Sequence, residues 1–256
     1  MKRLLLVCTL LLSLGCSPGD PVGPDGGFEM LMEETGVLTN CYLLYDRQSR
    51  EAALIDVGGP IDTLLARIDE EQLDVRYLIA THGHSDHVVG LPAIRERFPD
   101  ARLCMHEAAY RDLELIQQWI RDDFGVLSQA DREAHPELAM LYDFDPADID
   151  HPQIFIDDGD RLRLGDLTVR AIHAPGHSPG SVCFLAGDLL FCGDVLFRGA
   201  VGRVDLPNSS PADQENSVRR LLTELPESTR IYPGHGPATD IGSEKVPRHE
   251  QDASGI

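Results

Sequence analysis

Four candidate metal ligands occur within six residues of this chain, in the run His82-Gly83-His84-Ser85-Asp86-His87. The apolar segment Val75–Thr81 comes directly before this run and predicts a strand. If strand geometry persists into the run, His82 and His84 point the same way, because strand side chains alternate, and Asp86 and His87 fall on the following turn. Zinc, iron and manganese accept imidazole and carboxylate ligands. The spacing therefore predicts a metal site rather than isolated histidines.

Three further polar residues lie in glycine-containing loops that follow predicted strands. His177 lies in the sequence PGHSPG, Asp194 in FCGD and His235 in PGHG. Loops at strand ends are where a rigid scaffold presents functional side chains. Their common placement makes all three candidate members of one site, although each alone is typical of an ordinary loop. The remaining histidines have no motif around them and are interpreted as structural or surface residues: His106, His135, His151, His173 and His249.

The elements that must position these residues form two similar halves. Apolar and alternating patterns predict strands at Phe28–Glu34, Asn40–Asp46, Ala52–Asp56, Val75–Thr81 and Arg102–His106, and then at Gln153–Ile156, Leu167–His173, Ser181–Ala186, Asp188–Cys192 and Thr229–Tyr232. Helical spacing predicts helices at Ile61–Ile68, Leu91–Phe98 and Pro211–Leu225. Two β-rich halves, each flanked by helices, predict the α/β class and a four-layer α/β/β/α sandwich.

Residues 107–150 interrupt this pattern. Ala109, Leu113, Ile116 and Ile120 form a helical stripe, and no strand is predicted in this stretch. We expect a helical insertion that either packs as part of the scaffold or closes over the site as a lid.

Composition restricts the partners of the protein. The chain has 256 residues, 42% of them hydrophobic, and a formal net charge of −21. This suits one domain, which we predict over residues 28–241. An acidic surface repels nucleic-acid phosphates, so we expect a small-molecule substrate and no nucleic-acid partner. Four cysteines in apolar runs lack Cys-x-x-Cys spacing and are predicted to be buried thiols: Cys41, Cys104, Cys183 and Cys192.

The amino terminus resembles an export signal. Lys2 and Arg3 precede a leucine-rich run that is too short to span a bilayer. Gly15-Cys16 resembles the lipobox of bacterial lipoproteins, and the alternative is an ordinary cleaved signal peptide. We predict a signal over residues 1–16, a flexible tether over 17–27 and a polar tail over 242–256. The protein is then exported and periplasmic, with membrane attachment only through a lipid on Cys16.

The run at residues 82–87 resembles the His-x-His-x-Asp-His hallmark of the metallo-β-lactamase superfamily. TNCY at residues 39–42, LID at 54–56 and GDVLF at 193–197 strengthen a resemblance to its glyoxalase II-like hydrolases. The resemblance implies two divalent metals, with zinc favoured over iron or manganese. The implied ligands are His82, His84 and His177 for one metal and Asp86, His87 and His235 for the other, with Asp194 bridging the two.

The resemblance also implies a reaction. A hydroxide that bridges the metals would attack a carbonyl carbon, and a thioester is the favoured substrate because a thiolate is a good leaving group. Asp86 would bind metal and orient the nucleophile, which makes it the candidate catalytic residue. Arg203 corresponds to a basic family residue near the carboxylate end of the substrate, or else is a surface arginine. Because the chain ends soon after His235, we expect the short, single-domain hydroxyacylglutathione hydrolase-like form.

Other activities of the same fold stay open. A persulfide dioxygenase holds a single iron with two histidines and one aspartate, whereas the full ligand set here favours two metals. A lactonase or another ester hydrolase is a further alternative. A zinc β-lactamase is disfavoured because Asp194 stands where those enzymes have a cysteine or no ligand. A lipoprotein that binds metal without catalysis is the least favoured.

Overall fold

The structure, a computed structural model, describes residues 27–124 and 127–245. The predicted signal with Cys16, the tether up to residue 26 and the tail after residue 245 lie outside the described residues. Within the described ranges, no helix is both long and apolar enough to cross a membrane.

The first sheet has six strands that are neighbours in chain order. They are β1 (Phe28–Glu34), β2 (Asn40–Asp46), β3 (Glu51–Ile55), β4 (Asp74–Ile79), β5 (Arg102–Met105) and β6 (Ile154–Phe155). Strands β1 to β3 pair antiparallel, and β3 to β6 pair parallel. Because β3 and β4 are parallel, the residues that follow them, Asp56 and the run at 82–87, lie at the same edge of the sheet.

The second sheet also has six strands, in the order β14-β13-β10-β9-β8-β7. They are β7 (Arg161–Leu164), β8 (Leu167–His173), β9 (Val182–Ala186), β10 (Leu189–Gly193), β13 (Arg230–Pro233) and β14 (Thr239–Asp240). Strands β10 and β13 are parallel, so Asp194 and His235 follow at one edge. A small ribbon pairs β11 (Leu196–Phe197) with β12 (Ala200–Val201).

Helices cover the outer faces of both sheets. In chain order they are α1 (Asp62–Glu71), α2 (Ser85–Val88), α3 (Leu91–Arg97), α4 (Glu107–Phe124), α5 (Gln129–Ala134), α6 (Pro136–Asp143), a 3-10 turn (Pro146–Asp148), α7 (Pro211–Glu224) and α8 (Ile241–Lys245). Helices α4 to α6 and the 3-10 turn fill the predicted helical insertion.

Three apolar clusters lie between four layers. Alternating side chains of β2 illustrate the pattern: Tyr42 and Leu44 pack between the two sheets, whereas Leu43 packs against the helices outside. A third cluster joins the outer face of the second sheet to Leu221 of α7 and Ile241 of α8. Strand β2 is buried along its whole length because both of its faces are covered. The layer order is α/β/β/α, so the predicted architecture is confirmed.

Most predicted elements are present with slightly shifted ends, and the differences are local. Strand β4 ends at Ile79, and a four-residue helix, α2, takes the place of the predicted turn at Asp86 and His87. The short strands β7, β11, β12 and β14 were not predicted. The domain was predicted to end at residue 241, whereas helix α8 extends four residues further, to Lys245.

Candidate metal centre

All seven predicted ligands come together where the edges of the two sheets meet. Backbone hydrogen bonds join these edges on both sides of the site. Val182 N–H donates to Thr81 O at 2.8 Å, and Asn40 N–H donates to Gly234 O at 2.7 Å. The ligands therefore lie on loops that rigid sheets hold together, which is the arrangement that the strand-end placement predicted.

The backbone of the His82–His87 run differs from the predicted strand continuation. His84 has an extended backbone and directly precedes helix α2, which contains Asp86 and His87. Strand alternation therefore does not explain why His82 and His84 face one centre. The backbone changes from extended at His84 to helical at Ser85, and this change directs Asp86 and His87 toward the site.

The first ligand group contains three buried imidazoles, His82, His84 and His177. Their exposed fractions are 1%, 7% and 2%, and one ring nitrogen from each lies within 4.8 Å of the other two. His177 Nε2 lies 2.9 Å from His84 Nδ1. Three neutral nitrogen donors at this spacing suit one metal ion.

The second ligand group contains Asp86, His87 and His235. His235 Nε2 lies 3.2 Å from Asp86 Oδ2 and 3.3 Å from His87 Nε2, and His87 Nε2 lies 3.6 Å from Asp86 Oδ2. Ligand atoms that share a tetrahedral zinc ion stand roughly 3.3 Å apart, given metal–ligand distances of about 2.0–2.1 Å. The observed separations fit a single metal ion.

The carboxylate of Asp194 lies between the two groups. Its Oδ2 is 3.6 Å from His177 Nε2 in the first group and 3.5 Å from His235 Nε2 in the second. Its Oδ1 is 3.5 Å from His87 Nε2. Asp194 is thus the carboxylate of the set that contacts imidazoles of both groups, as its predicted bridging role requires.

Buried polar atoms without partners show that this donor set fits metal ions. His82 Nε2 and Asp194 Oδ1 are buried and form no hydrogen bond with the described residues. A buried polar atom without a partner is costly, and a cation can satisfy such an atom. A glycine at position 234 keeps this space open, because a Cβ there would lie 2.3 Å from Asp194 Oδ1.

Asp56 and Thr81 form hydrogen bonds that orient two of the ligands, His82 and His87. Asp56 accepts hydrogen bonds from Thr81 N–H and Thr81 Oγ1–H at 2.8 Å and from His87 Nδ1–H at 2.9 Å. Thr81 Oγ1 in turn accepts from His82 Nδ1–H at 3.1 Å. These bonds place the protons on Nδ1 and leave Nε2 of His82 and His87 free for metal. This role was not predicted from the sequence, although Asp56 lies at the end of a predicted strand, close to where the ligands follow theirs.

Backbone carbonyls orient two further imidazoles. His177 Nδ1–H donates to Arg203 O at 3.0 Å, and His235 Nδ1–H donates to Leu38 O at 2.8 Å. Each bond occupies Nδ1 and directs Nε2 at the ligand group, so Nε2 is the atom that would bind metal. The loop around His235 is also held by Asn40, whose Nδ2 donates to Pro233 O and Gly236 O.

Burial controls the charge of the first group. It lowers the pKa of His82 and of His177, and it lowers the pKa of His84 to about 3. Neighbouring imidazoles add to the effect on His82, because like charges repel. These three side chains are therefore neutral at pH 7 and available as ligands.

Carboxylates control the charge of the second group. Burial disfavours a charge on His87, but Asp86, Asp194 and Asp56 outweigh it and raise the pKa of His87 to about 9. Burial also acts on His235, where Asp194 and Asp86 raise the pKa to about 11. In return the imidazoles overcome the burial of the two ligand aspartates, lowering the pKa of Asp194 to about 2 and that of Asp86 further.

Arg203 lies next to the site, but its guanidinium group already has partners. It forms two hydrogen bonds with Asp205, at 2.7 and 2.8 Å, and lies 5.9 Å from the ring of Trp119 on α4. Its side chain is 56% exposed. The contact that reaches the ligands is made by its backbone carbonyl, through His177.

Helix α4 packs directly on two ligand loops. A Cβ on Gly83 would lie 2.3 Å from Ala109 O, and a Cβ on Gly180 would lie 2.1 Å from Ala109 N. Ala109 and Leu113 of this helix belong to the outer apolar cluster of the first sheet, and Tyr110 packs against it. The first half of the insertion is therefore scaffold that supports the loops of His82 and His177.

The other histidines and cysteines among the described residues lie outside the ligand groups. His106 stacks on His173 with ring centroids 4.3 Å apart, and its Nδ1 accepts from Ala108 N–H. His249 lies outside the described residues. The four predicted buried thiols are free and buried, as expected: Cys41, Cys104, Cys183 and Cys192.

Comparison with known proteins agrees with this geometry. The sequence model of the metallo-beta-lactamase superfamily matches residues 35–235, a range that contains all seven ligands. The chain belongs to the metallo-beta-lactamase superfamily. Members of this superfamily are mostly hydrolytic enzymes, and the buried His/Asp cluster is the candidate metal site of this member.

Proteins similar to this chain include one relative by sequence and two by structure. Hydroxyacylglutathione hydrolase GloC from Haemophilus influenzae is 32% identical over 82% of this chain and 92% of its own. ETHE1 from Myxococcus xanthus has a TM-score of 0.63 and 26% identity, covering 90% of this chain and 91% of its own. TTHA1623, solved in a di-iron-bound form, has a TM-score of 0.60 and 30% identity, covering 85% and 91%.

Proposed function

We propose that this protein is a hydrolase that uses two divalent metal ions to cleave a thioester. The observation that carries the proposal is the position of Asp194, whose carboxylate contacts imidazoles of both ligand groups. One group offers three neutral imidazoles and the other offers two imidazoles and a carboxylate. Zinc accepts both sets, and iron or manganese accepts them as well. The di-iron form of TTHA1623 is consistent with a pair of metals.

In the proposed reaction the metal ions and the protein residues have different tasks. Metal ions held by these residues would lower the pKa of a bound water to about 7 and would polarise a carbonyl oxygen. The protein orients four of the histidine ligands through hydrogen bonds of their Nδ1 atoms to Asp56, Thr81 and two backbone carbonyls, so that Nε2 faces the metal site. Asp86, next to His87 and His235, would bind metal and orient the attacking water. This is the catalytic role that we propose for it.

The thioester substrate is inferred from chemistry and from similarity. A thiolate leaves without needing a proton, so the reaction asks for no separate general acid. GloC, which is 32% identical to this chain, is named as a hydroxyacylglutathione hydrolase. We therefore propose a glyoxalase II-like activity on a small thioester. Arg203, beside Trp119 and close to His177, is the proposed substrate contact.

We further propose that the protein is exported and is bound to the membrane only through a lipid on Cys16. The support is the sequence alone: a basic start, a short leucine-rich run and a small residue before the cysteine. The partner that we propose is a small molecule, and the net charge of −21 argues against nucleic acid.

Substrate screening of the purified, zinc-loaded protein tests the proposed activity. We expect hydrolysis of small thioesters, and a loss of at least about 100-fold in kcat/KM in His84→Ala, because one metal group loses a ligand. His135→Ala removes a half-exposed histidine outside both groups and should keep full activity.

Three outcomes of the screen would contradict the proposal. Oxygen consumption by a protein that carries one iron ion would indicate the dioxygenase alternative. Cleavage of lactones but not thioesters would indicate a lactonase. Full thioester hydrolysis by His84→Ala would exclude the two-metal site as the catalytic centre.

A further inference from the structure

Gln214 on helix α7 connects two loops that each carry a metal ligand. Its Oε1 accepts a hydrogen bond from the backbone N–H of His177 at 2.8 Å. Its Nε2 donates to the backbone carbonyl of Val195, the residue after Asp194, at 2.7 Å. The residue is only 3% exposed, so water does not replace these bonds easily. One buried amide thus spans the loop of a first-group ligand and the loop of the bridging ligand.

The backbones around Gln214 leave little freedom for adjustment. A Cβ on Gly176 would lie 2.3 Å from the N and Cα atoms of Gln214, so the His177 loop touches the helix backbone. A Cβ on Gly202 would lie 1.8 Å from Asp194 O, which packs the 202–203 segment against the other loop. That segment also accepts the His177 Nδ1–H bond through Arg203 O. The backbone and the ring of His177 are therefore both fixed relative to Asp194.

We propose that Gln214 is a positioning residue that sets the distance between His177 and Asp194, and through it the spacing of the two metal ions. His177 Nε2 and Asp194 Oδ2 lie 3.6 Å apart. The amide of Gln214 bonds the backbones of both loops and so links the positions of these two residues. The inference rests on the metal-binding part of the proposed function and is independent of the substrate.

Metal binding by two Gln214 variants tests this role. Gln214→Met keeps the length of the side chain and removes both hydrogen bonds. Gln214→Glu keeps an acceptor for His177 N–H but places an oxygen against the carbonyl of Val195. We expect zinc affinity, measured by competition with a chelator, to fall about 10- to 100-fold in both, the usual effect of removing a residue that orients a ligand. The absorption spectrum of the cobalt-substituted variants should shift as well.

A matched control lies one helical turn further along α7. Ser217 Oγ–H donates to the backbone carbonyl of Pro175, in the loop of His177, but makes no bond to the Asp194 loop. Ser217→Ala therefore removes a hydrogen bond from the same helix to the same loop, and we expect its zinc affinity and cobalt spectrum to match the wild type. This comparison separates the bridging of two loops from general support by α7.

The zinc-binding results distinguish the positioning role of Gln214 from the existence of the metal site. If wild-type protein binds zinc and both Gln214 variants bind it equally well with an unchanged cobalt spectrum, the positioning role is wrong. Equal losses in Ser217→Ala and Gln214→Met would also overturn it. If Gln214→Met does not fold, as judged by circular dichroism, Gln214→Glu decides the question. A wild-type protein that binds no zinc would overturn the metal site itself, and with it both proposals.

Discussion

At the scale of single residues, the site depends on groups that do not touch metal. Asp56 is the clearest case, because one buried carboxylate accepts three hydrogen bonds, two from Thr81 and one from His87. Through these bonds it fixes the orientation of His82 and His87 together. A residue of this kind changes both the stability of the fold and the affinity for metal.

We expect Asp56→Ala to lower the free energy of unfolding by about 3 kcal/mol, because it leaves three buried donors without an acceptor. Zinc affinity should fall about 10- to 100-fold, since His87 is no longer held in the tautomer that binds metal. Chemical denaturation of the metal-free protein and chelator competition measure the two effects separately.

Asp46 provides a matched control for this variant. It is also a buried carboxylate, and it accepts from the backbone N–H groups of Gln48 and Ser49, away from the site. Asp46→Ala should destabilise the protein by about 1–2 kcal/mol and leave zinc affinity unchanged. Equal losses of zinc affinity in the two variants would show that Asp56 acts through general stability alone.

The charges of the second ligand group predict a pH dependence. In metal-free protein the pKa of His87 is raised to about 9 and that of His235 to about 11, so both rings are protonated on both nitrogens and positively charged at pH 7. Because these pKa values lie above the unfolded value of about 6.5, the protonated rings stabilise the metal-free fold fully below pH 6.5, and this contribution is lost as the pH rises through 9 and 11.

Metal binding at pH 7 must therefore displace these protons. We expect zinc binding to release at least about two protons per chain, measured by calorimetry in two buffers of different ionisation enthalpy. The neutral imidazoles of the first group contribute none. A proton release near zero at pH 7 would contradict the assignment of charge to His87 and His235.

At the scale of elements, close backbone contacts position the ligand loops. Gly83 separates His82 from His84, and a Cβ there would meet Ala109 O of helix α4 at 2.3 Å. We expect Gly83→Ala to cost about 1–3 kcal/mol of stability through overpacking and to weaken zinc binding by displacing the two histidines. Thermal unfolding with and without zinc measures both effects.

Gly27→Ala is the control for this substitution, because a Cβ at Gly27 would meet no atom within 4 Å. It should leave both the melting temperature and the zinc-induced stabilisation unchanged. Wild-type behaviour in Gly83→Ala would mean that α4 moves aside without cost, and would favour a mobile insertion over a scaffold.

The elements also show which features the sequence makes predictable. All seven ligands could be predicted, because each follows a strand or stands in the dense His/Asp run. Asp56 also follows a strand, but no second candidate residue stands near it in the sequence. Its hydrogen bond to His87 becomes visible only once β3 is paired with β4. Gln214 could not be predicted at all, since one polar residue in an amphipathic helix is ordinary and its two partners lie 37 and 19 positions away.

Local backbone was predicted less well than layer order. Helix α2 has four residues, too few to show helical periodicity, so a turn was predicted there. By contrast, the four-layer sandwich was predicted from two β-rich halves flanked by helices, a pattern that does not depend on the short strands. The burial of β2 and β9 on both faces agrees with it, because helices cover the outer face of each sheet.

At the scale of the whole molecule, the predicted amino-terminal anchor can be tested in cells. Cys16→Ser removes the only atom to which a lipobox lipid can attach. We expect the variant to move from the membrane fraction to the soluble periplasmic fraction, while the wild type stays with the membrane. A wild-type protein found only in the soluble fraction would favour the ordinary signal peptide instead.

The two sheets meet at one edge, and the site exists because ligands from both reach the same place. His82 to His87 follow a strand of the first sheet, whereas His177, Asp194 and His235 follow strands of the second. A bridged pair of metals would therefore tie the two halves together. Metal removal should lower the melting temperature of the whole domain in a single transition, which calorimetry can follow.

The metal content at saturation tests the central claim most directly. Elemental analysis of zinc-saturated, purified protein should give two zinc ions per chain for the wild type and fewer than two for Asp194→Asn, because the bridging carboxylate is lost. One metal ion per chain in the saturated wild type, or two in Asp194→Asn with unchanged affinity, would contradict a bridged two-metal centre.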